Sequence, residues 1–494
     1  MLFNSFEFIF FFLPFVFFIY FYLNKKRLTE AAKAFLVFAS LFFYSWWNIN
    51  YLPLILISIL VNYTVGRELA YHKHRKRRYS AKKLLSVGIV FNLALLAYYK
   101  YTDFFIENLD HLLGSNISLL HLALPLAISF YTFQQISYLV DSYKEETKEY
   151  DFLNYTLFVT FFPQLIAGPI VHHAEMMPQF AKKRNKVKNY YNIALGVFVF
   201  SIGLFKKVVI ADTFAEWANY GFDVAHRLNM LEAWISSLSY TFQLYFDFSG
   251  YTDMAIGAAL LFNIKLPINF FSPYKSVSIQ DFWRRWHITL SRFLKSYLYI
   301  PLGGNRKGQI RTYLNLFITF LLGGIWHGAG WTFLFWGALH GAALVIHRVW
   351  KQLGFKMPQL LALFVTFNFI NFTWVFFRAK NFDDALKVLK GMFFGEHHIW
   401  TYLQKLYDHG NPIAQWFNLN SDSYGNTFNL FAILMVTVGL FVIFLFPNSN
   451  ELATRMNTQK RVSLPYTILT IVALGTSLLF MSISHGTEFL YFNF

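Results

Sequence analysis

The chain has 494 residues, of which 56% are hydrophobic and only 14% are charged, and its formal net charge is +17. A soluble protein of this length needs more charge on its surface, so these proportions exclude a single aqueous domain. The sequence contains no cysteine, which excludes disulfides, thiolate-bound metals and an acyl-cysteine intermediate.

Long apolar runs recur along the chain and predict its class. Most are close to the roughly 20 residues that a membrane-spanning helix requires. The runs are Phe8–Leu23, Ala34–Trp47, Leu52–Val65, Leu84–Phe105, Leu119–Val140, Tyr190–Ile210, Leu231–Phe248, Tyr313–Ile325, Trp331–Val349, Leu360–Phe377, Phe428–Phe446 and Pro465–Ile483. They predict an all-α polytopic membrane protein with about 11 transmembrane helices, forming one integral-membrane domain over residues 1–494.

Clusters of basic residues between the runs predict the orientation of the chain. Three basic residues follow the first run at positions 25–27, and a second basic cluster lies within Arg67–Lys83. The positive-inside rule places both clusters in the cytoplasm, and the same counting places the polar loop Ala379–Thr427 and the tail His485–Phe494 outside. Cytoplasmic loops therefore account for the positive charge, and we expect the lipid bilayer and no nucleic acid as a partner.

The segment Phe152–Ile166 interrupts this inside–outside alternation. As a full span it would place the basic cluster Lys182–Lys188 outside, and it contains Pro163, with Gly168 and Pro169 shortly after it. Proline disfavours a continuous helix, and non-helical backbone at membrane depth survives only where protein or a watery cavity surrounds it. We therefore predict a re-entrant segment that lines an internal funnel.

Ionisable residues within the apolar sequence mark the candidate site, because such residues are costly inside a membrane. These polar residues concentrate, together with tryptophan and glycine, in Tyr245–Asp253, Pro267–Phe270, Phe282–His287, Pro301–Arg306 and Gly323–Gly328. Tryptophan builds pocket walls, and glycine lets backbones approach closely. The candidate substrate-binding residues are Asp247, Trp283, Arg284 and Trp326.

His327, between Trp326 and Gly328, is the main candidate for catalysis. A neutral imidazole can act as a general base near pH 7. The alternative is a structural histidine that is bonded to a carbonyl of a neighbouring helix. His287 lies on a separate segment with two arginines. If both histidines converge on one cavity, one can act as base while the other orients a carbonyl.

The other histidines are weaker candidates. The adjacent pairs at 172–173 and 397–398 have no cysteine or carboxylate at metal-ligand spacing, so we predict no metal site. His340 and His347 lie on an apolar run and are expected to pack or to form hydrogen bonds. The basic, glycine-rich stretch Gly303–Gly308 is either a phosphate-binding loop for a nucleotide-like donor or an ordinary turn.

The chain resembles the membrane-bound O-acyltransferases, in the bacterial branch that contains alginate O-acetylases and peptidoglycan O-acetyltransferases. The matching stretches are Tyr245–Asp253, Phe282–His287, Gly323–Trp331 and Trp336–Gly341. This resemblance implies a multi-helix fold around a central funnel, O-acetylation of a cell-envelope polysaccharide, and a location in the bacterial inner membrane. It also maps the principal catalytic histidine of the family onto His327 and the second polar position onto His287.

The resemblance further implies substrates and partners. The donor would be acetyl-CoA or another thioester that approaches from the cytoplasm, with no tightly bound cofactor. An extracytoplasmic acetyltransferase or esterase-like partner would then modify the polysaccharide.

The aromatic tail Phe489–Phe494 is similar to C-terminal motifs of related envelope acylation systems, in which a tyrosine is proposed to carry the acyl group. The corresponding residue here is Tyr491, and attack by its phenol requires an imidazole that takes the proton. We expect His327 to take it while His287 orients the donor or stabilises charge. The alternative is a tail that packs beneath the lipid headgroups.

Three other classes share parts of this pattern. A transporter or flippase also needs a midplane cavity and broken helices, but would tolerate glutamine at position 327. A structural assembly subunit would need neither histidine. A teichoic-acid D-alanylation enzyme would take its donor from a carrier protein, and the presence of the tail motif on the same chain favours O-acetylation over this alternative.

Overall fold

The computed structural model describes residues 1–71, 80–147, 151–396, 430–459, 463–483 and 489–490. Every regular element within these residues is a helix, which confirms the predicted all-α class. The helices of the first part are α1 (Leu13–Lys25), α2 (Thr29–Ser45), α3 (Leu52–Tyr71), α4 (Ala81–Leu113), α5 (Ile128–Tyr143), α6 (Phe152–Thr160), α7 (Phe162–Leu165), α8 (His173–Ala181), α9 (Tyr190–Phe205) and α10 (Asp212–Asn219).

The second part continues from the central helix of the fold. Its helices are α11 (Met230–Leu261), α12 (Ile279–Arg285), α13 (Ile288–Leu294), α14 (Gln309–His327), α15 (Trp331–Gln352), α16 (Gln359–Arg378), α17 (Phe382–Phe394), α18 (Leu430–Leu445), α19 (Ser449–Gln459) and α20 (Leu464–Ile483). Helix α17 lies within the predicted outer loop, and residues 397–429, which include the histidine pair at 397–398, lie outside the described residues.

Seven helices among the described residues are long and apolar enough to cross a membrane. They are Glu7–Lys25, Ile49–Tyr71, Ala81–Leu113, Tyr190–Val224, Trp331–Gln352, Gln359–Arg378 and Leu464–Ile483. Helices α18 and α19, which are bent by 43° relative to each other, make an eighth if they form one broken span. The polytopic class is therefore confirmed, but the predicted count of about 11 is not. Helices α2 and α5, with 17 and 16 residues, are shorter than a full span.

The predicted run Leu119–Val140 is not one helix. Residues 114–125 have no regular structure, and α5 begins only at Ile128. Pro125 and Ala127 precede it, and Ala127 has a left-handed backbone with φ 61°. The apolar composition of this run was therefore mistaken for a helix, although proline restricts the residue before it to extended backbone.

The segment Phe152–Ile166 is broken, as predicted. Helix α6 ends at Thr160, and Phe161 has extended ψ of 108° before the short helix α7 begins with proline in its first turn. Residues 155–171 are all buried. Protein therefore surrounds this irregular backbone, which is the condition under which a broken helix is tolerated at membrane depth.

Helix α11 forms the centre of the molecule. It begins with a capping box, in which the side chains of Asn229 and Glu232 each bond the other residue's backbone N–H. All residues from Ser239 to Leu261 are buried. Helix α9 packs directly on its backbone, because a Cβ on Gly203 would lie only 2.6 Å from the carbonyl oxygen of Gly250. Small residues at such crossings allow close packing of membrane helices.

Candidate active site

His327 is the last residue of α14 and is buried. The helix ends there because Gly328 is extended, with φ −160° and ψ 151°. A Cβ at Gly328 would lie 2.2 Å from the Phe333 ring, so a larger residue would displace this turn. The imidazole lies among the rings of Trp326, Trp336 and Phe377, whose centroids are 4.8, 5.1 and 5.2 Å away.

Lys100 of α4 fixes the end of α14. Its ammonium donates to the carbonyl oxygens of Trp326 and His327 at 2.5 and 3.1 Å. The next residue, Tyr101, donates its hydroxyl to the carbonyl of Ile325 at 2.8 Å. A cation at a helix C-terminus satisfies carbonyls that the helix itself leaves unbonded. Sequence reasoning missed Lys100, although a lysine within the apolar run Leu84–Phe105 was the available signal.

His287 is fully buried and lies between α12 and α13 with a left-handed backbone, at φ 43° and ψ 54°. Its Nδ1 is 3.2 Å from the side-chain oxygen of Asn269. This oxygen also accepts from the backbone N–H and the hydroxyl of Thr289, at 3.1 and 2.9 Å. An amide oxygen only accepts, so Nδ1 carries the proton and Nε2 of the neutral ring carries the lone pair.

The two histidines converge on Trp326. The centroid of the His287 ring is 6.4 Å from that of Trp326, and the centroid of the His327 ring is 4.8 Å from it. Trp326 in turn stacks on Phe133 at 4.8 Å. Both imidazoles therefore lie beside Trp326, and their catalytic roles stay predictions.

His340 has a hydrogen-bonding role, as expected from the sequence. Its Nδ1 accepts from the indole N–H of Trp283 at 3.1 Å, and its Nε2 lies 3.1 Å from the hydroxyl of Thr373. That hydroxyl donates to the carbonyl of Ile370, so it accepts from Nε2–H of His340. Trp283, predicted to bind substrate, is buried and directs its N–H to this chain of bonds.

Asp247 belongs to a buried ionic cluster on α11, next to Phe248, whose ring contacts His287. Its Oδ1 is 2.9 Å from Nζ of Lys207, which also lies 2.7 Å from Asp212. Its Oδ2 accepts from the backbone N–H of Leu490 at 3.0 Å. A second buried pair, Lys206–Asp253 at 2.7 Å, lies nearby on the same two segments. Both lysines interrupt the apolar run Tyr190–Ile210, a signal that sequence reasoning passed over.

The tail enters the protein at this cluster. Phe489 is buried and stacks on Tyr251 with ring centroids 4.3 Å apart. It also lies 5.9 Å from Phe248, whose ring meets His287 edge-on at 4.9 Å. Tyr491, the predicted acyl carrier, lies outside the described residues.

Two other sets of residues that the sequence singled out lie apart from the histidines. Arg284 is exposed at the end of α12 and is not brought to the histidines. The stretch Gly303–Gly308 forms turns in which all three glycines have positive φ, and Asn315 donates to the carbonyl of Gly304 at 2.9 Å. This geometry fits the ordinary-turn alternative. In the described part of the chain no three His, Asp or Glu side chains are grouped as a metal site would require.

Among the cavities of the described residues, two differ clearly in their lining. One of about 270 Å³ lies against Lys100 and the turn after His327, and is lined by Asp103, Gly328 and Phe333 among others. The other, of about 800 Å³, is lined by three cationic and several amide side chains. These lining residues include Lys182, Arg184, Asn185, Asn189, Asn192, Asn263 and Lys265.

A polytopic helical fold with paired buried histidines at its centre defines the class of an integral-membrane enzyme. The sequence model of the membrane-bound O-acyltransferase family matches residues 41–382. The chain therefore belongs to this family, as the resemblance implied, and is a multi-pass membrane acyltransferase.

Sequence identity to individual members of the family shows which of them this chain is similar to. The chain is 49% identical to the peptidoglycan O-acetyltransferase of Helicobacter pylori, over 100% of this chain and 98% of that protein. It is 41% identical to a probable alginate O-acetylase of Pseudomonas aeruginosa, over 80% of this chain and 75% of that protein. A teichoic acid D-alanyltransferase of Bacillus subtilis is 27% identical over 52% of this chain and 69% of its own length.

Proposed function

We propose that the chain O-acetylates a cell-envelope polysaccharide by passing acetyl groups from a cytoplasmic thioester, expected to be acetyl-CoA, across the bacterial inner membrane. The observation that carries this proposal is the buried centre, where two imidazoles meet at Trp326 and a ring of the C-terminal segment lies next to the neighbour of His287. The names of the relatives support acetyl transfer to peptidoglycan or an alginate-like polymer.

The relatives also weigh against the other enzymatic alternative. Similarity to the D-alanyltransferases is lower and covers about half of this chain, whereas the acetyltransferase of Helicobacter pylori matches throughout. Membership of an acyltransferase family also sets aside a transporter or a purely structural subunit.

The large cavity suits the donor. Its three cationic side chains, Lys182, Arg184 and Lys265, are suited to the phosphates of a nucleotide thioester. Its volume falls within the range of ligand pockets, and the positive-inside rule predicts that the basic segment lining it faces the cytoplasm. One lining residue of the cavity, Glu175, pairs with Arg292 of α13 at 2.7 Å, and His287 is the N-cap residue of the same helix.

In the proposed step, the phenol oxygen of Tyr491 attacks the thioester carbonyl while His327 takes the phenol proton. The C–S bond then breaks, and the departing thiolate takes that proton and leaves as the free thiol. Tyr491 holds the acetyl group as an ester until a partner transferase outside the membrane accepts it and regenerates the phenol.

His287 fits the orienting role in this step. Its Nδ1–H bonds Asn269, so Nε2 of the neutral ring accepts hydrogen bonds and does not donate them. It can therefore hold an N–H group of the donor, such as an amide of the pantetheine arm. Stabilisation of a negative carbonyl oxygen would need a donor at that position.

The burial of Phe489 supports entry of the tail into the centre. A tail that packs beneath lipid headgroups would leave its aromatic side chains at the membrane surface, but this ring is 1% exposed. Substitution Tyr491→Phe should abolish polymer acetylation without lowering the abundance of the chain in the membrane. Full acetylation in this variant would exclude the tyrosine relay while leaving the overall function standing.

The polymer can be identified with a strain that lacks this chain. We expect ester-linked acetate, released by mild alkali, to disappear from one envelope polysaccharide fraction and to return on complementation. Loss of ester-linked D-alanine in place of acetate would assign the chain to the D-alanylation class. Unchanged esters in every fraction would overturn the proposed function.

A further inference from the structure

The C-terminal segment is held by a charged group in the interior. The two oxygens of Asp247 have different partners, since Oδ1 faces Nζ of Lys207 and Oδ2 accepts the backbone N–H of Leu490. Asp247 is 1% exposed. A hydrogen bond to a buried carboxylate is stronger than one between neutral groups, so this contact contributes more than ordinary backbone pairing.

The ionic cluster provides the charge balance that this contact needs. Lys207 lies between two carboxylates, Asp212 at 2.7 Å and Asp247 at 2.9 Å. One ammonium between two carboxylates leaves negative charge that a further donor can stabilise. The N–H of Leu490 is such a donor, and a buried carboxylate without it would lose a favourable partner.

The apolar contacts of the segment fix its direction. Asp247 and Tyr251 are four residues apart and therefore lie on the same face of α11. Phe489 stacks on Tyr251 while Leu490 bonds Asp247, so one face of α11 binds two successive residues of the tail. Between them on the helix, Phe248 contacts both Phe489 and His287.

We propose that Asp247, balanced by Lys207, is the docking point of the C-terminal segment and acts as a positioning residue for acyl transfer. The ion pair holds the segment on α11, one aromatic ring away from His287. Asp247 thus binds the tail of its own chain and not the soluble donor. This inference rests on the proposed function, in which the tail carries the acyl group.

The neighbouring pair Lys206–Asp253 offers a matched control. It is also buried, joins the same two segments and has an N–O distance of 2.7 Å. Lys206 donates in addition to Ser449 of α19. Asp253→Asn therefore removes a comparable buried charge at a position where the tail contact is not involved.

A thiol reporter measures docking directly. The chain has no cysteine, so Leu490→Cys creates a single thiol in the full-length protein, and its rate of labelling by a maleimide reports exposure. We expect Asp247→Asn to speed labelling about tenfold or more, because a charge-assisted hydrogen bond is lost. Asp253→Asn should leave the rate near that of the reporter alone. Equal rates in the two variants would overturn the docking assignment.

A second variant covers the case in which Asp247→Asn does not fold. Leu490→Pro removes the N–H donor and leaves the ion pair with Lys207 intact. We expect Leu490→Pro to lower envelope acetate as strongly as Asp247→Asn. The double variant should lower acetate no further than either single variant, because all three variants remove the same hydrogen bond. Full acetate in Leu490→Pro, or additive losses in the double variant, would contradict the proposal.

Envelope acetate also separates this proposal from the proposed function. We expect Asp247→Asn to lower acetate at unchanged abundance, and Asp253→Asn to retain it. If His327→Ala abolishes acetate while Asp247→Asn does not, the docking proposal alone fails. If neither variant changes acetate, the proposed function fails as well.

Discussion

Asn269 determines which nitrogen of His287 is available for chemistry. Its amide oxygen is a common acceptor for the imidazole and for both polar groups of Thr289, and these bonds hold the imidazole ring in one orientation. The residue lies in the stretch Pro267–Phe270, one of the polar stretches that mark the candidate site, but its partner His287 was not evident from the sequence.

We predict that Asn269→Leu lowers the acetylation rate by about 10- to 100-fold, because His287 loses the partner that fixes its tautomer and orientation. The rate of envelope acetylation at matched membrane abundance measures this. Thr289→Ser, which keeps the hydroxyl and the backbone N–H, should remain within about twofold of the unmodified chain. Equal losses in the two variants would show that the segment is only structurally sensitive.

The individual residues of the candidate site were only partly predictable from the sequence. His327 and His287 stood out because ionisable groups are rare in apolar sequence. Lys100 was missed because its acceptors, the carbonyls of Trp326 and His327, lie more than 220 residues away in the chain. The exposure of Arg284 was not predictable, because residue type does not reveal which side of a short helix faces solvent.

Paired glycines set the helix packing that holds the site. Helix α9 meets α11 at Gly203 and Gly250, where a Cβ on either residue would lie less than 3 Å from the other's carbonyl oxygen. Helices α14 and α15 meet in the same manner, since a Cβ on Gly324 would lie 3.0 Å from the Cα of Gly337. The first crossing lies next to Lys207 and Asp247, and the second lies one helical turn before His327.

We predict that Gly203→Ala lowers the stability of the protein by about 1–3 kcal/mol, because the added methyl group collides with backbone and not with a flexible side chain. Thermal unfolding in detergent measures this as a lower Tm. Gly475→Ala is the matched control, because no described atom lies within 4 Å of a Cβ at that position of α20. Helix propensity alone favours alanine at both positions, so an unchanged or raised Tm for Gly203→Ala would refute close packing.

Helix boundaries were predictable where a residue close to the boundary, such as proline, determines them. The break at Phe161 followed from proline, which acts within one turn. The irregular stretch before Ile128 was missed because an apolar run was interpreted as a helix without regard to Pro125. The partner of Phe489 on α11, Tyr251, was not predictable, since the two residues lie 238 positions apart.

At the scale of the whole molecule, two of the cavities among the described residues bear on the route of the acetyl group. The basic wall of the larger cavity and the smaller cavity beside Lys100 are lined by different segments. The positive-inside rule predicts that the first faces the cytoplasm and that the second lies near the outer end of α4. This arrangement suits a donor and an acceptor that approach from opposite sides.

Thiol accessibility in intact cells tests this orientation. We predict that Lys183→Cys, exposed near the large cavity, reacts only with membrane-permeant reagents. Asn116→Cys, exposed beyond the end of α4, should react with an impermeant maleimide. The positive-inside rule gives the two positions opposite sides. Labelling of position 183 by the impermeant reagent would contradict both the orientation and the re-entrant segment.

The sequence was sufficient to predict a polytopic membrane protein but not the number of its membrane-spanning helices. Hydropathy identified the membrane class, because apolar runs of this length have no place in a soluble chain. The number of spans is not confirmed, because hydropathy also registers helices that are shorter than a span and buried within the protein, such as the 16-residue α5, almost all of whose residues are enclosed.

Acyl transfer at the buried histidine centre is tested most directly by ester-linked acetate in purified envelope polymers. Cells producing the unmodified chain, His327→Ala or the control His111→Ala, which changes an exposed histidine, should be compared at equal membrane abundance. We predict that acetate in His327→Ala falls to the level of a strain lacking the chain, while His111→Ala retains full acetate. Equal acetate in all three would contradict a catalytic centre at His327.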